Sequence, residues 1–294
     1  MSGAVAFIGF GEAAMAFAGA WGEARPSVAR AYDRKTDSGA TRAAKLEDYR
    51  AHAVEAASSA AEALAGASVA LSLVTADQAL PAARACAAHL APGALWLDMN
   101  SVAPDTKRAA SQAIEAAGGR YVDVAVMSPV HPARLAAPLL VSGPHARDGA
   151  AALEALGFSD VRVVAGALGA ASSIKMIRSV MVKGLEALTT ECLIAAEVAG
   201  VTDEVVASLN ASWPGVDWAR KGDYNLDRMI VHGLRRAAEM EEVAKTLDAL
   251  GVGAVMTRGT IEMQRATGAL GLTPPATLAG KIQAVLGRAE ETVT

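Results

Sequence analysis

Short apolar runs alternate with longer alanine-rich stretches through the first half of the chain. The runs at Ala4–Gly9, Val28–Asp33, Val69–Val74, Leu95–Asp98 and Tyr121–Val126 are nearly continuous rather than alternating, as strands covered on both faces are. Between them, Glu12–Trp21, Ser58–Ala65, Gln78–Leu90 and Pro104–Ala117 have helical length. Strand–helix alternation of this kind predicts a doubly wound parallel sheet with helices on both faces. Two further strands, Leu139–Ser142 and Val161–Val164, flank a helical stretch at Gly149–Leu156 and close the first domain near residue 165.

From Ala170 the pattern changes. A run without proline, rich in Ile, Met, Leu and Ala, continues to Val198 and predicts a long interdomain helix. Beyond Thr202 only helical patterning remains, broken by turn signals at Trp213-Pro214-Gly215, Gly251-Val252-Gly253 and Thr273-Pro274-Pro275. The expected fold class is therefore α/β: a Rossmann domain over residues 1–165, followed by an all-α domain over residues 166–294 that begins with the interdomain helix.

Gly9-Phe10-Gly11-Glu12-Ala13-Ala14 is a GxGxxA sequence placed where the first strand ends and a helix begins. In that setting the first glycine permits a tight turn, the second lets a pyrophosphate approach the backbone, and the small Ala14 lets helix and strand pack closely. The amides opening the helix then face the phosphates. An acidic residue is expected roughly twenty residues further on, at the end of the second strand, to bond the ribose hydroxyls. Asp33 fills that place and favours NAD over NADP, while the neighbouring Arg34 and Lys35 pull the other way.

Composition narrows the function classes. The 294 residues are 52% hydrophobic, enough for a large core, and the net charge of −4 gives no reason to expect nucleic acid or an anionic membrane as partner. No stretch of about twenty uninterrupted apolar residues suggests a spanning helix. The apolar start has no basic leader, so it reads as strand and helix, and a cytoplasmic protein is expected. The two cysteines, Cys86 and Cys192, are far apart and read as buried thiols, and no metal motif is present.

Lys175 stands near the start of a mostly apolar helix, where an amine is costly unless it is paired or functional. Burial also suits an amine to proton exchange. In the last domain Met229, Gly233, Arg236, Met240, Val243 and Leu247 share one helix face, which points Arg236 inward, toward a substrate anion or into an internal ion pair.

These motifs resemble the β-hydroxyacid dehydrogenases related to 3-hydroxyisobutyrate and 6-phosphogluconate dehydrogenases. The resemblance rests on the glycine-rich start, Leu73-Val74-Thr75, Leu97-Asp98-Met99-Asn100-Ser101 and Gly169-Ala170-Ala171-Ser172-Ser173-Ile174-Lys175. The segment His232–Met240 looks like a branch with its own type of C-terminal domain. The resemblance implies cofactor contacts at Gly9, Phe10, Gly11, Glu12, Ala13, Ala14, Asp33, Arg34, Val74, Thr75 and Asn100. It makes Lys175 the general acid/base, with Ser179 or Arg178 assisting, and Ser101, Met127, Ser128 and Arg236 the substrate contacts. Two departures stand out. Arg178 and Ser179 replace the family's asparagine one turn after the lysine, and Ser128 comes one residue late in the loop after the sixth strand.

The implied activity is reversible hydride transfer between a nicotinamide and a small hydroxy acid or related alcohol, by a homodimer joined through the helical domains. Two alternatives stay open: reduction of C=N as in imine reductases, whose members usually lack the lysine, and dinucleotide binding by a sensor without turnover. A short-chain dehydrogenase is disfavoured, since no YxxxK occurs.

Overall fold

The computed structural model describes residues 4–293, so the outer ends of both expected domains lie outside the described residues. The chain divides into two compact units, Met1–Met176 and Ile177–Thr294.

In the first unit the elements run β1 (Ala4–Ile8), α1 (Glu12–Ala18), β2 (Ala29–Tyr32), α2 (Gly39–Ala51), β3 (Glu55–Ala56), α3 (Ala60–Leu64), β4 (Ala67–Ser72), α4 (Ala79–Ala87), β5 (Leu95–Asp98), α5 (Pro104–Ala116), β6 (Arg120–Val126), β7 (Leu139–Ser142), α6 (Ala146–Ala155) and β8 (Val161–Val163). They build one eight-stranded sheet in the order β3-β2-β1-β4-β5-β6-β7-β8. β1 pairs in parallel with β2 on one side and β4 on the other, so the strand order reverses there. A crevice opens beyond the carboxyl ends of strands at such a reversal. Alternate residues feed opposite faces: Val5, Phe7, Leu71 and Leu97 join one apolar layer, and Ala6, Ile8, Ala70 and Trp96 the other.

Three differences from the sequence pattern have physical causes. β7 is antiparallel to β6, because the loop between them holds only a 3₁₀ turn at Arg134–Ala136 and no crossover helix turns the chain over. The pattern missed α2, whose buried face carries Lys45 beside Tyr49 and is therefore not an apolar stripe. Gly149 suggested a helix start, yet α6 begins at Ala146: a β-carbon at Gly149 would meet Val122 Cγ1 at 2.6 Å, so that glycine serves packing on β6. Among the cysteines, Cys86 is buried, which pushes its thiol up to about 12, but Cys192, expected to be buried, is only partly so.

The helix α7 (Ala170–Ala199) begins in the first unit and continues into the second. There it is followed by α8 (Thr202–Ser212), α9 (Trp218–Ala249), α10 (Val255–Ala269) and α11 (Leu278–Val293), with breaks at each of the three turn signals. Leu193, Leu226, Ile230, Ile282 and Val285 form an apolar centre of this unit. α9 and α10 touch backbone to backbone, since a β-carbon at Gly233 would meet Gly268 Cα at 2.8 Å. Among the described residues no helix is long and apolar enough to cross a membrane.

Candidate functional site

The turn after β1 is held from three sides. Gly9 adopts φ of +85°, and a β-carbon there would meet the Leu73 carbonyl oxygen at 2.5 Å and Val74 Cγ1 at 2.8 Å, so only glycine fits. The Phe10 N–H donates to Asp33 Oδ2 at 2.8 Å, and the Phe10 carbonyl accepts from Lys45 Nζ at 2.8 Å. Its ring is buried edge-on against Phe7 and Tyr49. Ala14 is fully buried where α1 meets the sheet, whereas Glu12 is exposed and Ala13 half-buried. Gly11 differs from Gly9: its φ is −94°, and a β-carbon there would meet nothing within 4 Å. The fold itself does not demand glycine at position 11.

Asp33 also accepts the Lys35 N–H at 2.9 Å, so its carboxylate braces both the glycine turn and the chain after β2. Arg34 is exposed, with its guanidinium bonded to Gln78. Thr75 lies exposed beyond β4, and its hydroxyl, with Gln78, holds the Asp77 carboxyl below the usual range. The Val74 N–H donates to Asn100 Oδ1 at 2.7 Å, and Asn100 Nδ2 donates to Ser72 Oγ and Asp98 Oδ1. Asn100 is thus buried as a brace between the ends of β4 and β5.

One residue further, Ser101 Oγ accepts from Lys175 Nζ at 2.6 Å, joining the loop after β5 to the first turns of α7. Both are partly buried. Beneath this pair lies a fully buried ionic cluster. Lys107 Nζ donates to the Asp98 carbonyl at 2.6 Å and to Asp98 Oδ1 at 2.9 Å, and stands 3.4 Å from Asp123 Oδ1. Asp98 Oδ2 accepts from Tyr121 Oη at 2.6 Å, and burial together with that carboxylate holds the Tyr121 phenol well above its ordinary value. Asp123 Oδ2 accepts from Ser142 Oγ, the Ser172 N–H and Ser172 Oγ. Ser142 Oγ in turn accepts the Ala171 N–H at 3.0 Å. The first turn of α7 is therefore tied to β6 and β7 through Ala171 and Ser172, four and three residues before Lys175.

The remaining expected residues are more scattered. Ser128 and Met127 lie half-buried after β6; Ser128 Oγ donates to its neighbour's carbonyl, and the Met127 N–H to Pro138. In the second unit Arg178 is exposed, while Ser179 is buried and accepts from Lys183 Nζ at 3.2 Å. Arg236 points inward as expected, and there it forms an ion pair with Glu186. Among the described residues no group of three or more His, Cys, Asp or Glu is placed to hold a metal.

Lys45 and the Lys107 cluster escaped the sequence reading, although a signal existed. Ala103, Lys107, Ala110 and Ile114 recur at helical spacing, which puts the lysine on the buried face of α5. Asp98 and Asp123 are charges inside otherwise apolar strands.

Comparison with known proteins agrees with this fold. Residues 4–188 match the NAD binding domain of 6-phosphogluconate dehydrogenase, and residues 196–267 match a domain of unknown function, DUF1932. A conserved hypothetical protein of Sinorhizobium meliloti 1021 is 40% identical, over 98% of this chain and 97% of its own, with a TM-score of 0.75. The conserved protein MTH1747, described as structurally similar to 3-hydroxyacid dehydrogenases, is 30% identical over 90% of this chain and 99% of its own, with a TM-score of 0.67. The 3-hydroxyisobutyrate dehydrogenase of Mycobacterium tuberculosis, solved with L-serine, is 18% identical over 97% of this chain and 99% of its own; its TM-score of 0.74 marks a shared fold. No curated protein matches the chain.

The buried cluster generates a stability prediction. Lys107→Met leaves Asp98 and Asp123 facing each other without a cation, a change that costs about 3–5 kcal/mol. The urea midpoint of the first unit should fall accordingly. An unchanged midpoint would mean that the cluster carries no such burden.

Proposed function

Because the chain belongs to the family of the 6-phosphogluconate dehydrogenase NAD-binding domain, which it matches over residues 4–188, we propose that it is an NAD-dependent oxidoreductase. Its substrate is a small hydroxy acid or related alcohol, and Lys175 is the general acid/base. One observation carries the reading: the Lys175 ammonium meets the Ser101 hydroxyl at 2.6 Å, across 74 positions of sequence, beside the ends of the central strands.

The chain's residues fit the cofactor. Gly11 has open space where a side chain would stand, although the protein packs against nothing there, and this supports a ligand approaching the backbone closely. Gly9, Phe10 and Ala14 set the turn; Val74 and Thr75 flank it from β4, with Asn100 fixing Val74. In this reading Asp33, just beyond β2, meets the ribose hydroxyls with the acceptor capacity its bonds to Phe10 and Lys35 leave over. The bond from Arg34 to Gln78 supports a preference for NAD, since that guanidinium already has a partner.

When bound, the nicotinamide supplies or takes up the hydride at the carbinol carbon. In oxidation, the amine of Lys175 accepts the proton of the substrate hydroxyl as the carbonyl forms; in reduction, its ammonium returns that proton. Ser101 steers the amine by hydrogen bonding, and Ser128 with Met127 lines the substrate loop. A homodimer through the helical unit is part of this proposal, supported by Ile177, Met181 and Leu188, which are exposed on one face of α7.

Titration of the parent protein should show tighter binding of NAD than of NADP, and Gly11→Val should bind neither while its unfolding midpoint stays put. Tighter NADP binding reverses the preference, and undiminished affinity in the variant removes the assigned cofactor site. Light scattering should give twice the chain mass of 29.9 kDa; a mass of one chain overturns the dimer.

With a panel of small hydroxy acids, Lys175→Met should lower turnover about a hundredfold to ten-thousandfold while NAD binding persists. Turnover near the parent rate would make Lys175 structural. Cofactor binding without turnover of any alcohol or imine by the parent would identify a dinucleotide-binding sensor instead.

A further inference from the structure

Arg34 and Gln78 meet across the end of the central strand. Arg34 follows β2, and Gln78 closes the 3₁₀ turn Ala76–Gln78 after β4. Because β2 and β4 flank β1 on opposite sides, their ends stand two inter-strand spacings apart, about 10 Å. The Arg34 guanidinium spans that gap and donates to Gln78 Oε1. The bond therefore passes beyond the carboxyl end of β1, where the glycine turn begins.

That bond is one half of a relay. The other end of the same amide, Gln78 Nε2, donates to Asp77 Oδ2 at 2.6 Å. An amide turned the other way would set its N–H groups against a guanidinium that only donates, and its oxygen against a carboxylate that only accepts, so charge fixes its orientation from both sides. The carboxylate stays ionised: the Thr75 hydroxyl first, and then Gln78, hold Asp77 below the usual range, and the charge of Arg34 adds to this. The Gln78 N–H donates to the Thr75 carbonyl at 2.9 Å and fixes the turn that presents the amide. Arg34 is thus a surface cation held by a neutral side chain with an anion behind it.

An arginine beside the ribose is the group that accommodates the 2′-phosphate of NADP. Resting on the cofactor site proposed above, we propose that Gln78 is a specificity-determining residue, which holds the Arg34 guanidinium on the β4 side of the crevice and so withholds it from that phosphate. NAD has no 2′-phosphate and asks nothing of Arg34, whereas NADP has to break the bond to Gln78 before it gains the cation. Asp33 opposes the phosphate by its charge. Gln78 opposes it by engaging the cation that would answer the phosphate. The choice of dinucleotide therefore depends on a residue after β4 as well as on the residues after β2.

Calorimetric titration of the full, cofactor-free protein with NAD and with NADP tests this without any turnover. In Gln78→Ala the guanidinium starts free, and the affinity for NADP relative to NAD should rise about tenfold, the worth of one hydrogen bond to a charged group. Gln78→Glu keeps the length of the side chain and gives Arg34 a full countercharge, so the same ratio should fall below that of the parent. In an Arg34→Ala background, the further change Gln78→Ala should leave the ratio where it is, since no cation remains to be released. The proposal is overturned if the ratio does not rise in Gln78→Ala, if it rises as much without Arg34, or if Gln78→Glu raises it. A parent that binds neither dinucleotide overturns the cofactor reading and this one with it; a parent that binds NAD, with a ratio indifferent to position 78, overturns this one alone.

Discussion

The first unit depends on one buried lysine placed between two buried carboxylates. Lys107, Asp98 and Asp123 are all fully removed from water. Desolvating each ion costs several kcal/mol, which only close geometry and additional hydrogen bonds offset. Those bonds are present. Tyr121, kept in its neutral, donating form by burial beside Asp98, donates to one carboxylate, while Ser142 and Ser172 donate to Oδ2 of the other, whose Oδ1 has only the Lys107 ammonium at 3.4 Å. Strands β5, β6 and β7 and the beginnings of α5 and α7 therefore have to meet at one point. A displacement of any of them leaves a charge unpaired, so the cluster sets the register of the elements that carry Ser101 and Lys175.

A second electrostatic device acts on the glycine turn. A single peptide group at Phe10 has its N–H held by the Asp33 carboxylate and its carbonyl by the Lys45 ammonium, and the ring beyond it is anchored in the core. The turn cannot shift without breaking charge-assisted bonds, which are roughly twice as strong as neutral ones. This gives Asp33 a structural duty in addition to the one expected of it at the end of β2. The carboxylate proposed to meet the ribose is the one that shapes the glycine turn, so substitutions at Asp33 disturb that turn as well.

Much of this was legible in the sequence, and the failures share a cause. The buried strands, the GxGxxA turn and the helical second half follow from apolar runs and breakers, which depend on local chemistry. Lys175 and Ser101 were named for one site by the family resemblance and not by spacing, which alone does not bring together positions 74 apart, and the bond between them was not foreseen. Where polar residues face inward, the pattern misleads. α2 was missed because Lys45 interrupts its buried stripe, and Gly149 passed for a helix boundary although its purpose is contact with Val122. Asn100, a cofactor contact by the family resemblance, also braces Val74, and Arg236, open between a substrate anion and an internal ion pair, pairs with Glu186; a spare donor or acceptor can be recognised only once every partner is known.

Partner chemistry also separates the lysines that shape the fold from the one proposed to act. Lys107 meets two buried carboxylates, whose oxygens accept and do not donate, so its donors are spent on holding the strands together. Ser101 presents a hydroxyl to Lys175, and a hydroxyl accepts from an ammonium as readily as it donates to the lone pair of an amine. In the proposed role, a neighbour able to bond in either direction is the kind of partner that proton exchange requires.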